Sequence, residues 1–140
     1  IRLRAAVSAV WESLSHSSGK PVSLRLMVLE ATIVSADPAL LDLALRNVLD
    51  NALRHSDRGE IVCALEGSRL IFSDCGPGFA EAELPRVFDR FFSGLRGRHG
   101  LSLALVRHVC RASGWQVGAG NAATGGGRVT IDLGESLRSN

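Results

Sequence analysis

The stretch Leu45-Arg46-Asn47-Val48-Leu49-Asp50-Asn51-Ala52-Leu53-Arg54-His55-Ser56 decides the fold. Together with Leu41 just before it, Leu45, Val48 and Ala52 recur at intervals of four, three and four, which places them on one face of a helix that packs against a sheet. Upstream, Asp37-Pro38 offers a capping carboxylate followed by a proline suited to the first helical turn, so the helix starts there and runs to about His55. Asn47, Asn51, Arg54 and His55 form a second stripe, rotated by about 100° from the first because that is the turn per residue. The second stripe borders the core and is able to face a cleft. Taken alone, two amides and two basic side chains describe an ordinary solvated helix face, and the neighbouring segments have to decide between the two.

Working outward from that helix, Leu3, Val7, Val10, Trp11 and Leu14 repeat at helical spacing until the break at residues 15–19, which predicts an amphipathic helix over residues 2–17. Residues 21–29 and 31–35 read as short strands. Residues 61–65 and 69–73 are apolar runs split by Glu66-Gly67-Ser68, the pattern of a hairpin, and the second runs straight into Asp74-Cys75-Gly76-Pro77-Gly78. Residues 80–92 suit a short helix and residues 101–112 a third amphipathic helix stopped by Ser113-Gly114. The last strands fall at residues 115–119 and 128–133. Helices mixed with mostly hairpin-linked strands predict a two-layer α/β sandwich, a mixed and largely antiparallel sheet covered on one face by three helices.

The whole chain, 140 residues, suits one domain with one sizeable core. It is 46% hydrophobic and 21% charged, and no apolar run approaches the roughly 20 residues that span a bilayer. A net charge of +2 comes from scattered basic residues with no run of Lys or Arg and no interleaved aromatics, which argues against nucleic acid as a partner. Cys63, Cys75 and Cys110 are odd in number and lack CxxC spacing, so neither a disulfide framework nor a zinc site is indicated, and Cys63 and Cys110 sit in apolar runs as small buried hydrophobes.

Two further segments bear on chemistry. Asp74-Cys75-Gly76-Pro77-Gly78-Phe79 sets a carboxylate at a strand end beside two glycines where the backbone turns tightly. There a ligand can approach the main chain and an exocyclic amine can donate to the carboxylate. The plain alternative is a turn in which Asp bonds locally. Gly94-Leu95-Arg96-Gly97-Arg98-His99-Gly100 leads into the third helix, whose unpaired N–H groups and positive dipole end favour anions. A glycine-rich hinge without a ligand is the alternative there.

In this order the segments resemble the catalytic domain of histidine kinases, members of the GHKL group of ATP-binding proteins. Residues 45–56 resemble the N box, Asp74 to Phe79 the first glycine box, and Val87-Phe88-Asp89-Arg90-Phe91-Phe92 the F box. Residues 99–106 resemble the second glycine box and residues 125–133 the third. The match spans nearly the whole chain. The resemblance implies that Asn51 binds the magnesium ion bridging the nucleotide phosphates, an amide oxygen being a suitable hard ligand, with Asn47 beside it in the metal or phosphate shell. It implies that Arg54 contacts phosphate, that His55 lines the nucleotide site, and that Asp74 accepts from the adenine amino group. Gly76, Gly78 and Phe79 then form the turn that lets backbone approach the base, and Gly100 and Leu101 lie on the phosphate side. Phe88 and Phe91 are implied to anchor the lid and dock against the helical dimerisation domain, with Arg90 between them facing phosphate or that partner.

The second glycine box departs from the usual GxGLGL. Arg98 and Ser102 stand where the first and third glycines belong, and Arg98 either substitutes charge for backbone donors or obstructs closure. In the ATPases of the group a Glu four residues before the magnesium Asn acts as general base. Here that residue is Asn47, which takes no proton, so slow hydrolysis and phosphoryl transfer to a side chain elsewhere are expected. His16, His55, His99 and His108 are followed by Ser, Ser, Gly and Val, not by the acidic residue typical after a phosphoacceptor. The chain is therefore expected to be a fragment lacking the dimerisation and phosphoacceptor domain, unable to phosphorylate itself alone. The implied activity is transfer of the γ-phosphoryl of Mg-ATP to a histidine of that domain, with a response regulator downstream. The implied parent is a homodimeric, inner-membrane-anchored sensor kinase with this domain in the cytoplasm and no membrane contact of its own. An anti-sigma-type serine kinase, and a degenerate module of the group that serves only in protein contacts, are the alternatives.

Overall fold

The computed structural model of the chain describes residues 1–89 and 102–139. Helix α1 (Leu3–Ser18) leads into β1 (Val22–Met27) and β2 (Thr32–Val34), followed by α2 (Pro38–Arg54), β3 (Gly59–Glu66) and β4 (Arg69–Ser73). A 3₁₀ turn over Glu81–Arg86 follows, then α3 (Ser102–Ser113), β5 (Gln116–Asn121), β6 (Gly127–Asp132) and the short β7 (Leu137–Ser139). Five strands form the main sheet in the order β1-β3-β4-β6-β5. All its pairings are antiparallel except β1 with β3, which run parallel because α2 crosses between them. The two-layer α/β sandwich with a mixed, largely antiparallel sheet is as expected.

The expectation of a single sheet needs correction. β2 lies outside the five strands and pairs antiparallel with β7, a strand that the sequence pattern does not signal. Three residues carry too little periodicity to announce a strand, and only the return of the chain beside Ile33 creates one. The helix expected over residues 80–92 is likewise only the 3₁₀ turn Glu81–Arg86 among the described residues. Pro85 lies inside it and has no N–H to donate. Glu83, given no role above, accepts from the N–H of Ala80 at 3.4 Å and ties down the start of that turn.

The helical layer follows from the apolar stripes. α2 buries Leu41, Ala44, Leu45, Val48, Leu49, Ala52 and Leu53, and α1 buries Leu3, Val7 and Val10. From the sheet, Ile61, Cys63, Leu70, Phe72, Val129 and Ile131 meet them, while Val106 and Val109 of α3 complete the core. Fully burying one such side chain stabilises the fold by about 1.5–3 kcal/mol. Asp37 caps α2 by accepting from the N–H groups of Ala39 and Leu40, as its place before Pro38 predicts. At the other end the ammonium of Lys20 donates to the carbonyls of Leu53 (3.0 Å) and Arg54 (3.3 Å), so a cation meets the negative end of the helix dipole. Both ends of the helix that carries the Asn stripe are thus pinned.

Candidate functional site

Asn51 is the notable group on α2. Its residue is 8% exposed, its backbone carbonyl serves the helix by accepting from His55, and its side-chain amide makes no hydrogen bond among the described residues. An orphaned buried amide costs about 1–3 kcal/mol, a cost that a bound ligand or ion would offset. Asn47, one turn earlier and half-buried, donates from Nδ2 to the carbonyl of Leu43 at 2.7 Å. Because that partner is an acceptor, the amide orientation is determined, and the Oδ1 end is the one turned away from the helix backbone. Arg54 lies on the same stripe and is held at 2.7 Å by Asp50, four residues back. A surface pair of this kind contributes only about 0.3–0.5 kcal/mol, which a phosphate can replace. His55 is half-buried at the C-cap of α2, where the helix gives way to the loop.

The glycine turn is joined to this helix by Ser56, whose fully buried hydroxyl accepts from the N–H of Cys75 at 3.2 Å. The end of the Asn stripe and the Asp74 turn are therefore held side by side. Cys75 itself donates its thiol to the carbonyl of Arg58 at 3.0 Å.

Asp74, 7% exposed, is aimed from two directions. Its Oδ1 accepts from Gly76 N–H at 3.0 Å, the local turn bond, and from Gly127 N–H at 2.9 Å, which comes from the neighbouring strand β6. The backbone of Gly127 also accepts the Asp74 N–H at 2.9 Å. Gly126 packs so closely that a Cβ there would fall on the Asp74 carbonyl oxygen. Gly78 has φ +83°, and a Cβ there would fall on the Gly125 carbonyl oxygen and 2.9 Å from Asn121 Oδ1. Only glycine fits either place. Of the sequence-derived residues, Asp74, Gly76, Gly78 and Phe79 thus belong to one rigid turn.

Asn121 was not singled out by the sequence. It ends β5 and grips Phe79 at both main-chain groups, accepting from its N–H at 2.7 Å and donating to its carbonyl at 2.9 Å. Its only signal was an Asn at the entrance to a glycine-rich hairpin turn. Phe88 is partly buried against the core, so part of its side chain remains exposed. Arg90, Phe91, Gly100 and Leu101 lie outside the described residues, as do Arg98 and His99. Among the described residues no cluster of three or more His, Cys, Asp or Glu stands ready to hold a metal. An amide oxygen such as that of Asn51 would suit a hard cation better than zinc.

Residues 36–136 match the family of histidine kinase-, DNA gyrase B-, and HSP90-like ATPases, and the chain belongs to it. The sensor protein QseC of Salmonella typhi is 34% identical over 130 residues, covering 89% of this chain and 29% of that protein. The mycobacterial sensor histidine kinase MprB superposes with a TM-score of 0.81 at 24% identity, covering 99% of this chain and 96% of that one. Full-length ShkA, solved in complex with AMPPNP, superposes at 0.72 with 27% identity over 94% of this chain and 29% of that one. The chain is thus similar to the part of sensor histidine kinases that belongs to this ATPase family, and it spans under a third of the length of QseC. No helix among the described residues is long and apolar enough to cross a membrane.

Proposed function

We propose that this domain binds Mg-ATP and donates the γ-phosphoryl group to a histidine on a separate dimerisation domain, from which a response regulator takes it. The observation that carries the proposal is the buried amide of Asn51, without a side-chain hydrogen bond among the described residues, on the helix that Ser56 ties to the Asp74 turn. In this reading Asp74 accepts from the adenine amine, Gly76, Gly78 and Phe79 line the base, and Asn51 with Asn47 faces the phosphates and their metal. A magnesium ion held by Asn51 would supply positive charge to neutralise the charge that develops in transfer. Arg54 exchanges Asp50 for phosphate, and His55 borders the site at the helix end. The contribution of the chain is positioning and charge, since in-line transfer needs little covalent chemistry from the protein.

Asn47 stands where a general base would activate water, and an amide takes no proton, which supports a slow hydrolase and a donor to a histidine elsewhere. Partner contact through Phe88 and Phe91, with Arg90 alongside, and phosphate contact through Gly100 and Leu101 complete the proposal. The parent is proposed as a membrane-anchored homodimer with this domain in the cytoplasm. Calorimetry with millimolar ADP and magnesium tests the central claim: measurable, magnesium-dependent heat is expected, and its absence would overturn the reading in favour of a module that serves only protein contacts.

A further inference from the structure

The hairpin between β5 and β6 is bonded at both ends to the Asp74–Phe79 segment. Its turn satisfies itself, with Ala122 N–H bonded to the Gly126 carbonyl at 2.8 Å and Gly125 N–H to the Ala122 carbonyl at 2.9 Å. The residues at its two ends are spent on the opposite segment. Gly127 orients the Asp74 carboxylate, and Asn121 holds both main-chain groups of Phe79. Between those two anchors lie Gly76 and Gly78, and Gly78 has the left-handed backbone with no room for a side chain. A side-chain amide that accepts and donates to one residue mimics a strand pairing, so Phe79 is locked although it belongs to no strand.

We propose that Asn121 is a positioning residue that sets base selectivity: it fixes Gly78 and Phe79 relative to Asp74, so that the turn accepts a 6-amino purine and rejects a 6-oxo purine. The proposal rests on Asp74 being the acceptor for the amine. A carboxylate held rigidly repels a 6-oxo group, whereas a turn free to shift lets the oxygen find another donor and erases the distinction. Asn121 acts through Phe79, the residue its side-chain amide bonds.

The test measures dissociation constants of the whole chain for magnesium complexes of ADP and IDP, with folding followed by circular dichroism. The parent chain is expected to prefer ADP. Asn121→Ala is expected to weaken ADP by about tenfold while changing IDP little, so that the preference falls by about the same factor. Asn121→Asp keeps an acceptor for the Phe79 N–H but loses the donor to its carbonyl, and an intermediate preference is expected. Equal loss for both nucleotides, or no loss, would mean that Asn121 is structural only and would overturn the proposal. If Asn121→Ala does not fold, Asn121→Asp decides alone, and an unchanged ADP/IDP ratio in it overturns the proposal. Asp74→Asn separates the two ideas. If it leaves the ratio unchanged, the Asp74 reading fails and takes this one with it. A ratio that collapses in Asp74→Asn but survives in both Asn121 variants sinks the Asn121 proposal alone.

Discussion

Asp74 and Gly127 bind each other twice across β4 and β6: the Gly127 N–H donates to the Asp74 carboxylate at 2.9 Å while the Gly127 carbonyl accepts the Asp74 N–H at 2.9 Å. The direction of the carboxylate is therefore set by the neighbouring strand and not by the turn alone. Asp74→Asn retains an oxygen for the two N–H groups that now reach Oδ1, so the fold should survive with a melting temperature close to that of the parent. The exchange of an acceptor for a donor should weaken ADP about 10- to 150-fold, the equivalent of a charged-partner hydrogen bond of about 1.5–3 kcal/mol. Calorimetry on the variant checks it, and parental affinity would remove Asp74 from the adenine pocket.

Asn51 opposes stability to function. Replacing a buried amide that has no hydrogen bond among the described residues with a side chain of similar size and no polar atoms removes a desolvation cost of about 1–3 kcal/mol. Asn51→Leu is expected to melt at the same temperature as the parent or several degrees higher, while magnesium-dependent nucleotide binding disappears. A variant that melts lower and still binds would show that the amide serves the core.

Glycines divide by what surrounds them. A Cβ at Gly126 would strike the Asp74 carbonyl, whereas Gly118 has nothing within 4 Å. Gly126→Ala should cost about 3 kcal/mol or more in urea denaturation, and Gly118→Ala less than about 0.5 kcal/mol.

Asp50 competes with phosphate for Arg54 in the proposed site. Asp50→Asn should change stability by less than about 0.5 kcal/mol, as expected for an exposed i, i+4 pair, and should strengthen ATP binding severalfold. Arg54→Ala should weaken ATP more than adenosine, and equal effects on both would exclude phosphate contact.

Burial pushes the Cys63 thiol up to about 12 and the Cys110 thiol to about 11 from an ordinary value of 9.0. Both stay protonated in the folded chain at a pH where the unfolded chain releases those protons. The stabilisation they confer is intact below pH 9 and is lost as pH rises from 9 through 11 to 12. The slope is about 1.4 kcal/mol per pH unit for each thiol. The chain has no Tyr, so no phenol titrates in the range of the measurement. Urea unfolding at pH 8 and pH 10 should show the fall, and Cys63→Ala should halve it.

Much of the fold was legible because the apolar residues obey a single period for long enough. Leu41, Leu45, Val48 and Ala52 predict α2, and Asp37-Pro38 marks its first turn within a residue. The hairpin β3–β4 follows from two apolar runs around Gly67, and its second strand begins and ends where expected. β7 was not legible, nor was the departure of β2 from the main sheet, since three-residue strands are defined by what they pair with. For the site, the residue types at 51, 74 and 78 pointed toward nucleotide chemistry, while Asn121 and Ser56 carried no pattern of their own.

By itself the sequence determined the helix of the Asn stripe, the strand that ends at Asp74 and the glycines after it, because periodicity and backbone freedom are properties of neighbours along the chain. It determined the family as well, through the order of those segments. Only the tertiary structure decided that the buried Asn51 amide makes no hydrogen bond among the described residues, that Arg54 is occupied by Asp50, and that Asn121 and Gly127 hold the Asp74–Phe79 turn from 42 and 53 residues away. Those facts depend on which groups the folded sheet and helices bring within about 3 Å, a distance over which hydrogen bonds act and sequence spacing is silent.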